Sequence, residues 1–283
     1  MNIIIGKHSG FCKGVEFTVN KAQETINNND IVYCLGEIVH NERVIDDLEE
    51  KGMITVKSID EVPNNSKLII RAHGELKEIY DEALNKNIEI IDLTCGKIKA
   101  IRTKISNKLS DHFIVIIGKI NHPEPLGVKS FSGEYAYIVE DENDLDKMIE
   151  KYNNSKLKKI YIVSQTTFNS NKFDELVELI KSRVDSIIEV DKTICNATSN
   201  RQEETKELSK SVDKMIIIGG KKSSNTKELE TIAKEECDNV YLVQDKNDLD
   251  KTKFNSNDTI GIMAGASTPQ IVVDEIIEFL EEE

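Results

Sequence analysis

Short runs of isoleucine and valine recur along this chain, each closed by a glycine or a polar turn, with longer amphipathic stretches between them. Three runs end in glycine: IVYCLG at Gly36, FIVIIG at Gly118 and MIIIGG at Gly219. Three more lead into a polar loop: LIIRAHG, IYIVSQTT and IGIMAGAST. A third set carries an acidic turn: ITVKSIDEV, AYIVEDENDL and VYLVQDKNDL. Between them, NERVIDDLEEKG and TKELETIAKEE have helical spacing, and a shorter helical stretch is expected near Leu126–Phe131. Strands alternating with helices of about 10–15 residues predict βαβ units and parallel sheets. Near-continuous Ile/Val strands predict sheets covered on both faces.

Three cysteines fall into the same plan. Cys12, Cys95 and Cys195 each follow a β-branched run and precede a helix-like stretch, in IIIGKHSGFCKGVEF, IEIIDLTCGKIKAI and SIIEVDKTICNATSNRQEE. The glycine-ending strand comes 24, 23 and 24 residues after the cysteine. The pattern therefore predicts three lobes, over residues 1–91, 92–190 and 191–283, with the N-terminal strand a candidate to pack with the third. The polar loops are taken as equivalent at His73, Thr166 and Ser267. Ligands of parallel α/β sheets bind beyond the carboxyl ends of the strands. The loops are thus expected to converge if the lobes pack around a pseudo-three-fold axis.

Composition narrows the function. The formal charge of −14 disfavours nucleic-acid binding, which needs a basic face. The chain has no Trp, so base-stacking platforms are not expected. It has no apolar run of membrane-spanning length and no signal-like leader, so a cytoplasmic location is expected. Five cysteines in 283 residues do not make a disulfide framework. Cys34, inside a strand, and Cys237, at a helix end, read as small buried hydrophobes.

The remaining three thiols read as metal ligands. Structural zinc takes four ligands at short spacing, and that spacing is missing. Three thiolates suit a [4Fe–4S] cluster with one iron left open. Three of the five histidines, His40, His73 and His122, lie on strand-end loops. There they are suited to hydrogen-bond an anion, most strongly when protonated. His8 is read as shaping the Cys12 loop, and His112 as a surface residue. Pro123 stiffens the loop that presents Glu124, a candidate proton donor. Lys221–Thr226 opens a helix and offers backbone N–H groups, hydroxyls and an amide to a phosphate. Gly265–Pro269 has a similar composition, and Ser164–Thr167 supplies hydroxyls from the second lobe. This inventory suggests reduction or dehydration of a small phosphorylated alcohol.

GFCKGVE, GEIVHNERV, AHG, the LTC loop, NHPE, SQTT, ICNATSNRQ, GKKSSNT and AGASTP, in this order, resemble the motifs of the 4-hydroxy-3-methylbut-2-enyl diphosphate reductase (LytB) family. The resemblance implies a trefoil of three α/β lobes, each a small parallel sheet flanked by helices, around a central iron–sulfur site. It implies one [4Fe–4S] cluster per chain, held by Cys12, Cys95 and Cys195. It implies a diphosphate held by His40, His73, Ser223, Ser224, Asn225 and Ser267, with His122 close by and Thr198 lining the pocket. Glu124 would supply the proton, with Thr166 arranging the substrate hydroxyl. The implied reaction is reductive dehydroxylation to isopentenyl and dimethylallyl diphosphate, the last step of the methylerythritol phosphate route. Ferredoxin or flavodoxin is the implied electron donor. The chain departs from the family pattern at Gly96, where proline is usual, at Asn196, where tyrosine is common, and at Lys119–Asn121. It ends at Glu283 without the tail of some members, so closure over the site is expected to differ.

Two alternatives remain at this point. One is another three-lobed [4Fe–4S] enzyme resembling quinolinate synthase, whose carboxylate substrates favour Arg or Lys clamps. The other is a cluster-binding electron carrier, which needs neither Glu124 nor a phosphate cradle.

Overall fold

A computed structural model describes residues 1–27 and 31–282; Glu283, the last residue of the expected third lobe, lies outside them. The described residues form twelve strands and ten α-helices. The strands are β1 (Asn2–Ile5), β2 (Val32–Leu35), β3 (Met53–Val56), β4 (Lys67–Ile70), β5 (Glu89–Asp92), β6 (His112–Ile117), β7 (Ala136–Val139), β8 (Lys159–Ser164), β9 (Ile187–Val190), β10 (Lys214–Ile218), β11 (Val240–Val243) and β12 (Thr259–Ala264). The helices are α1 (Lys13–Ile26), α2 (Glu42–Glu50), α3 (Lys77–Asn85), α4 (Gly96–Ser106), α5 (Pro123–Ser130), α6 (Leu145–Ser155), α7 (Ser170–Arg183), α8 (Asn196–Ser209), α9 (Ser224–Glu236) and α10 (Gln270–Glu281).

The strands build three four-stranded sheets, ordered β3-β2-β4-β5, β7-β6-β8-β9 and β11-β10-β12-β1. Every pairing among them is parallel. Each sheet has the same internal order: the strand with the acidic turn, the glycine-ending strand, the strand with the polar loop, and the strand leading to a cysteine. The cysteine strand is therefore an edge strand, and β5 and β9 each close a sheet begun earlier in the chain. For β1 the sheet is the third one, which it joins through β12.

Two compact units divide these sheets. One comprises residues 1–20, 39–51 and 196–283 and holds the third sheet. The other comprises residues 21–38 and 52–195 and holds the first two.

Burial follows the strand period. In β6 all six residues are buried. Phe113, Val115 and Ile117 pack on one face with Phe173, Leu176, Val177 and Ile180 of α7. Ile114 and Ile116 pack on the other with Ile98, Ile101 and Ile105 of α4. The spacing of those three isoleucines places them on one helical stripe. The third sheet repeats the arrangement. Ile216 and Ile218 face Val272, Val273, Ile276 and Leu280 of α10, while Met215 and Ile217 face Leu229 and Ala233 of α9. In the first sheet Leu35, Leu68 and Ile70 pack with Ala83 of α3. The sandwiching fixes each sheet rigidly and leaves its loops at one end to carry chemistry.

Candidate active site

The three cysteines share one backbone relation. Cys12 N–H donates to Ala266 O, Cys95 N–H to Ala72 O and Cys195 N–H to Thr166 O, each at 3.0 Å. Each cysteine is thus tied to the loop after its neighbouring strand. The bond also corrects the expected alignment of those loops by one residue. Thr166 is equivalent to Ala72 and Ala266, and His73 and Ser267 each stand one position further on. None of the five cysteines is in a disulfide, and Cys34 and Cys237 are buried while the other three are partly exposed. The Cys34 thiol donates to Gly36 O and the Cys237 thiol to Asn239 O. Cys12 differs: its sulfur accepts the N–H of Val15 at 3.4 Å.

In the unit holding the first two sheets, a continuous series of contacts links the candidates. Pro123 and Glu124 open α5, as a proline at the first helical position allows. His122 caps that helix, its Nδ1 accepting Glu124 N–H at 3.1 Å. An accepting Nδ1 leaves Nε2 as the ring's donor. Its ring meets that of His73 edge-to-face, centroids 5.5 Å apart. Glu124 is 1% exposed. Its Oε1 accepts Thr166 N–H at 2.6 Å and its Oε2 accepts the Thr166 hydroxyl at 2.7 Å. Burial raises the Glu124 carboxyl to about 7, against the lowering effect of the Thr166 bonds and the Arg102 charge. Thr166, through its carbonyl, holds Cys195.

Sequence reasoning missed the support beneath this series. Arg102 of α4 donates to Glu75 O at 3.0 Å and lies 4.3 Å above the Phe131 ring. It therefore braces the loop that carries His73. Gln165 accepts Lys119 N–H at 3.0 Å and steadies the start of the loop to His122.

The unit holding the third sheet carries the other candidates. Ser223 caps α9, its hydroxyl accepting Thr226 N–H at 3.3 Å. Ser224 and Asn225 lie in the first turn, where backbone N–H groups and the helix dipole favour an anion. Asn225 is 4% exposed, yet neither atom of its amide has a protein partner. A buried amide with nothing to bond is costly unless a ligand bonds it. Ser267 donates to His40 O at 3.3 Å. A Cβ at Gly220 would overlap that same carbonyl, so Gly220 lets the His40 backbone pack against the loop before α9. Thr198 is buried in the first turn of α8. Pro269 stands just before α10.

Two expectations for the other histidines meet different outcomes. His8 shapes the Cys12 loop, through a 2.8 Å contact of its Nδ1 with Glu204. His112 is not a surface residue: it begins β6 and is 3% exposed. Its two ring nitrogens lie 2.5 Å from Asp111 and 3.0 Å from Glu189, and these carboxylates meet the needs of the buried ring.

Comparison with known proteins decides the family. The model of the LytB protein family matches residues 3–281. The chain belongs to the LytB family. A 4-hydroxy-3-methylbut-2-enyl diphosphate reductase of Clostridioides difficile strain 630 is 38% identical, covering 99% of each chain. Its counterpart in Campylobacter fetus subsp. fetus strain 82-40 is 40% identical, covering 99% of this chain and 98% of its own. A solved structure of (E)-4-hydroxy-3-methyl-but-2-enyl diphosphate reductase, described as the terminal enzyme of the non-mevalonate pathway, is 34% identical with a TM-score of 0.72. It covers all of this chain and 99% of its own. The E-1-hydroxy-2-methyl-but-2-enyl-4-diphosphate reductase of Plasmodium falciparum is 28% identical with a TM-score of 0.90, over 99% of this chain and 88% of its own. LytB membership disfavours both the quinolinate synthase-like and the electron-carrier readings. It also suggests an iron–sulfur cofactor, and the three partly exposed thiols fit one in donor chemistry. No described helix is long and apolar enough to cross a membrane.

Proposed function

We infer that the chain reduces 4-hydroxy-3-methylbut-2-enyl diphosphate to isopentenyl and dimethylallyl diphosphate. The observation that carries the chemistry is Glu124, a fully buried carboxyl raised to about 7 and bonded to the Thr166 hydroxyl. Such a group is about half protonated at pH 7, where an ordinary carboxyl is ionised, and has a hydroxyl through which to pass its proton.

The reaction consumes two electrons and two protons. The allylic C–O bond breaks, the hydroxyl leaves as water with one proton, and the second proton joins either end of the allyl unit. Cys12, Cys95 and Cys195 would hold a [4Fe–4S] cluster, one per chain, which when bound supplies single electrons and a Lewis-acidic iron. Protonated Glu124 donates through Oε2 to Thr166 Oγ1, and the Thr166 hydroxyl donates onward to the substrate oxygen. Thr166 N–H stays on Oε1 and keeps the carboxyl fixed through the transfer. His122, with Nδ1 engaged by Glu124 N–H, offers its Nε2 proton to the substrate. Ser223, Ser224, Asn225, Ser267, His40 and His73 bind the diphosphate, and Thr198 lines the same pocket. The orphaned Asn225 amide is the support for this anion site.

The division into lobes at residues 91 and 190 belongs to the same reading and rests on the repeated strand order of the sheets. A ferredoxin or flavodoxin supplies the electrons, in the cytoplasm. Anaerobic purification with iron and sulfide analysis, followed by turnover with a chemical reductant, tests the reading. Brown protein and both C5 diphosphates are expected. Colourless protein lacking iron would overturn it.

A further inference from the structure

The loop that carries Cys12 is the longest of the three. Six residues, 6–11, separate the end of β1 from the cysteine, against two after β5 and four after β9. It contains two glycines, and Gly10 has a φ of 87° that other residues rarely adopt. A longer, glycine-containing loop has more conformational freedom to lose before it can present a thiol in one place.

Backbone bonds to β12 and the loop after it supply part of the restraint. Ser9 Oγ accepts Ala264 N–H at 3.0 Å, and Cys12 N–H donates to Ala266 O. The rest comes from one face of α8. Glu204 Oε1 accepts Lys7 N–H at 2.6 Å, and its Oε2 accepts His8 N–H at 2.8 Å. Nearly one turn earlier, Arg201 Nη2 donates to Gly10 O at 2.5 Å, while Nη1 is anchored on Ala197 O at 3.0 Å. Arg201 is 4% exposed. A carboxylate taking two successive N–H groups and a buried guanidinium taking a carbonyl make charge-assisted bonds, stronger than neutral ones. They grip the loop before and after its midpoint. A Cβ at Gly6 would overlap Met263 Sδ and come within 3.4 Å of the Glu204 carboxylate, so the loop's entry is packed into the same clamp.

We propose that Arg201 and Glu204 are positioning residues that clamp the 6–11 loop and so fix the Cys12 thiol in its metal-binding orientation before metal arrives. The proposal rests on Cys12 being a cluster ligand. Both residues are taken to act through the loop backbone they bond.

The test is limited alkylation of the metal-free chain with iodoacetamide, read as separate rates for Cys12, Cys95 and Cys195 by peptide mass spectrometry. Iron and sulfide per chain are measured in parallel after anaerobic reconstitution. In Arg201→Ala and in Glu204→Ala, the Cys12 rate should rise on the order of tenfold, the scale of losing one charged hydrogen bond. Cys95 and Cys195 should keep their wild-type rates. Arg201→Lys, which can still donate once to Gly10 O, should recover part of the Cys12 protection. Iron per chain should fall in the two alanine variants and recover in the lysine one. An unchanged Cys12 rate would overturn the proposal, as would a common rise at all three cysteines, which would mark general loosening. A wild-type chain that takes up no iron would overturn the cluster assignment instead, and the alkylation rates do not depend on that result.

Discussion

The Glu124 carboxylate accepts two hydrogen bonds from one residue, the backbone N–H and the hydroxyl of Thr166, at 2.6 and 2.7 Å. This pairing makes the two oxygens inequivalent. The N–H can only donate, so Oε1 stays an acceptor. The hydroxyl can reverse, so Oε2 is the oxygen that can carry and release a proton.

A pH dependence follows. Burial raises the Glu124 carboxyl from 4.5 to about 7. The proton donor is therefore in place below pH 7 and lost above it, and kcat/KM should fall as pH rises through about 7. The sign for stability is the same. The folded chain binds this proton more tightly than the unfolded one between pH 4.5 and 7. Its ionisation therefore costs stability that is absent below about 4.5 and fully present above about 7, on the order of 3 kcal/mol. Urea unfolding at pH 6 and pH 8, in wild type and in Glu124→Gln, measures this. The glutamine variant should lose the difference attributable to that group.

Asn225→Leu replaces the orphaned amide with an apolar side chain of similar size. Without ligand the change should be tolerated, because no protein bond is lost. With ligand, one or two hydrogen bonds to the diphosphate disappear, and KM should rise about tenfold or more, with a smaller effect on kcat. Steady-state kinetics decide it, and an unchanged KM would remove Asn225 from the anion site.

Gly220→Ala should do damage through packing alone. Its Cβ would press on the carbonyl of His40, which is backbone and cannot swing aside. A cost of about 1–3 kcal/mol in unfolding is expected. KM should also rise, because His40 and the start of α9 would be pushed apart.

Gly96→Pro should help. Gly96 opens α4, nothing lies within 4 Å of where its Cβ would be, and Cys95 before it has φ −52° and ψ 133°, the extended geometry a proline requires of its predecessor. A gain of about 0.4–1 kcal/mol is expected from a less flexible unfolded chain. Thermal unfolding checks it, and a lower midpoint would show that the loop to Cys95 needs the glycine.

The sequence made the three cysteines legible as equivalents because each sits in the same succession of strand, loop and helix. Two things were hidden. Strand pairing was one, in part: β1 was only a candidate to join the third sheet, whose other strands come about 200 residues later, and a strand's hydrophobic pattern does not say which neighbour it pairs with. Exact loop alignment was the other. The loops differ in residue type, so His73, Thr166 and Ser267 looked equivalent, while the cysteine N–H bonds select Ala72, Thr166 and Ala266. His112 was misread because one of its two carboxylate partners, Glu189, is 77 residues away. Arg201 stands within a motif that the sequence singled out, yet its partner Gly10 is 191 residues distant, so its task was invisible. The burial of Glu124, which creates its chemistry, likewise depends on packing that no local pattern records.

The most direct measurement compares reductive turnover by wild type and Glu124→Gln, each purified anaerobically and matched for iron and sulfide. The glutamine variant keeps an acceptor for Thr166 N–H but has no acidic proton to give. The account predicts a full iron content and a rate of C5 diphosphate formation lowered at least ~100-fold. A variant with matched iron and an undiminished rate would contradict it and place the proton source elsewhere.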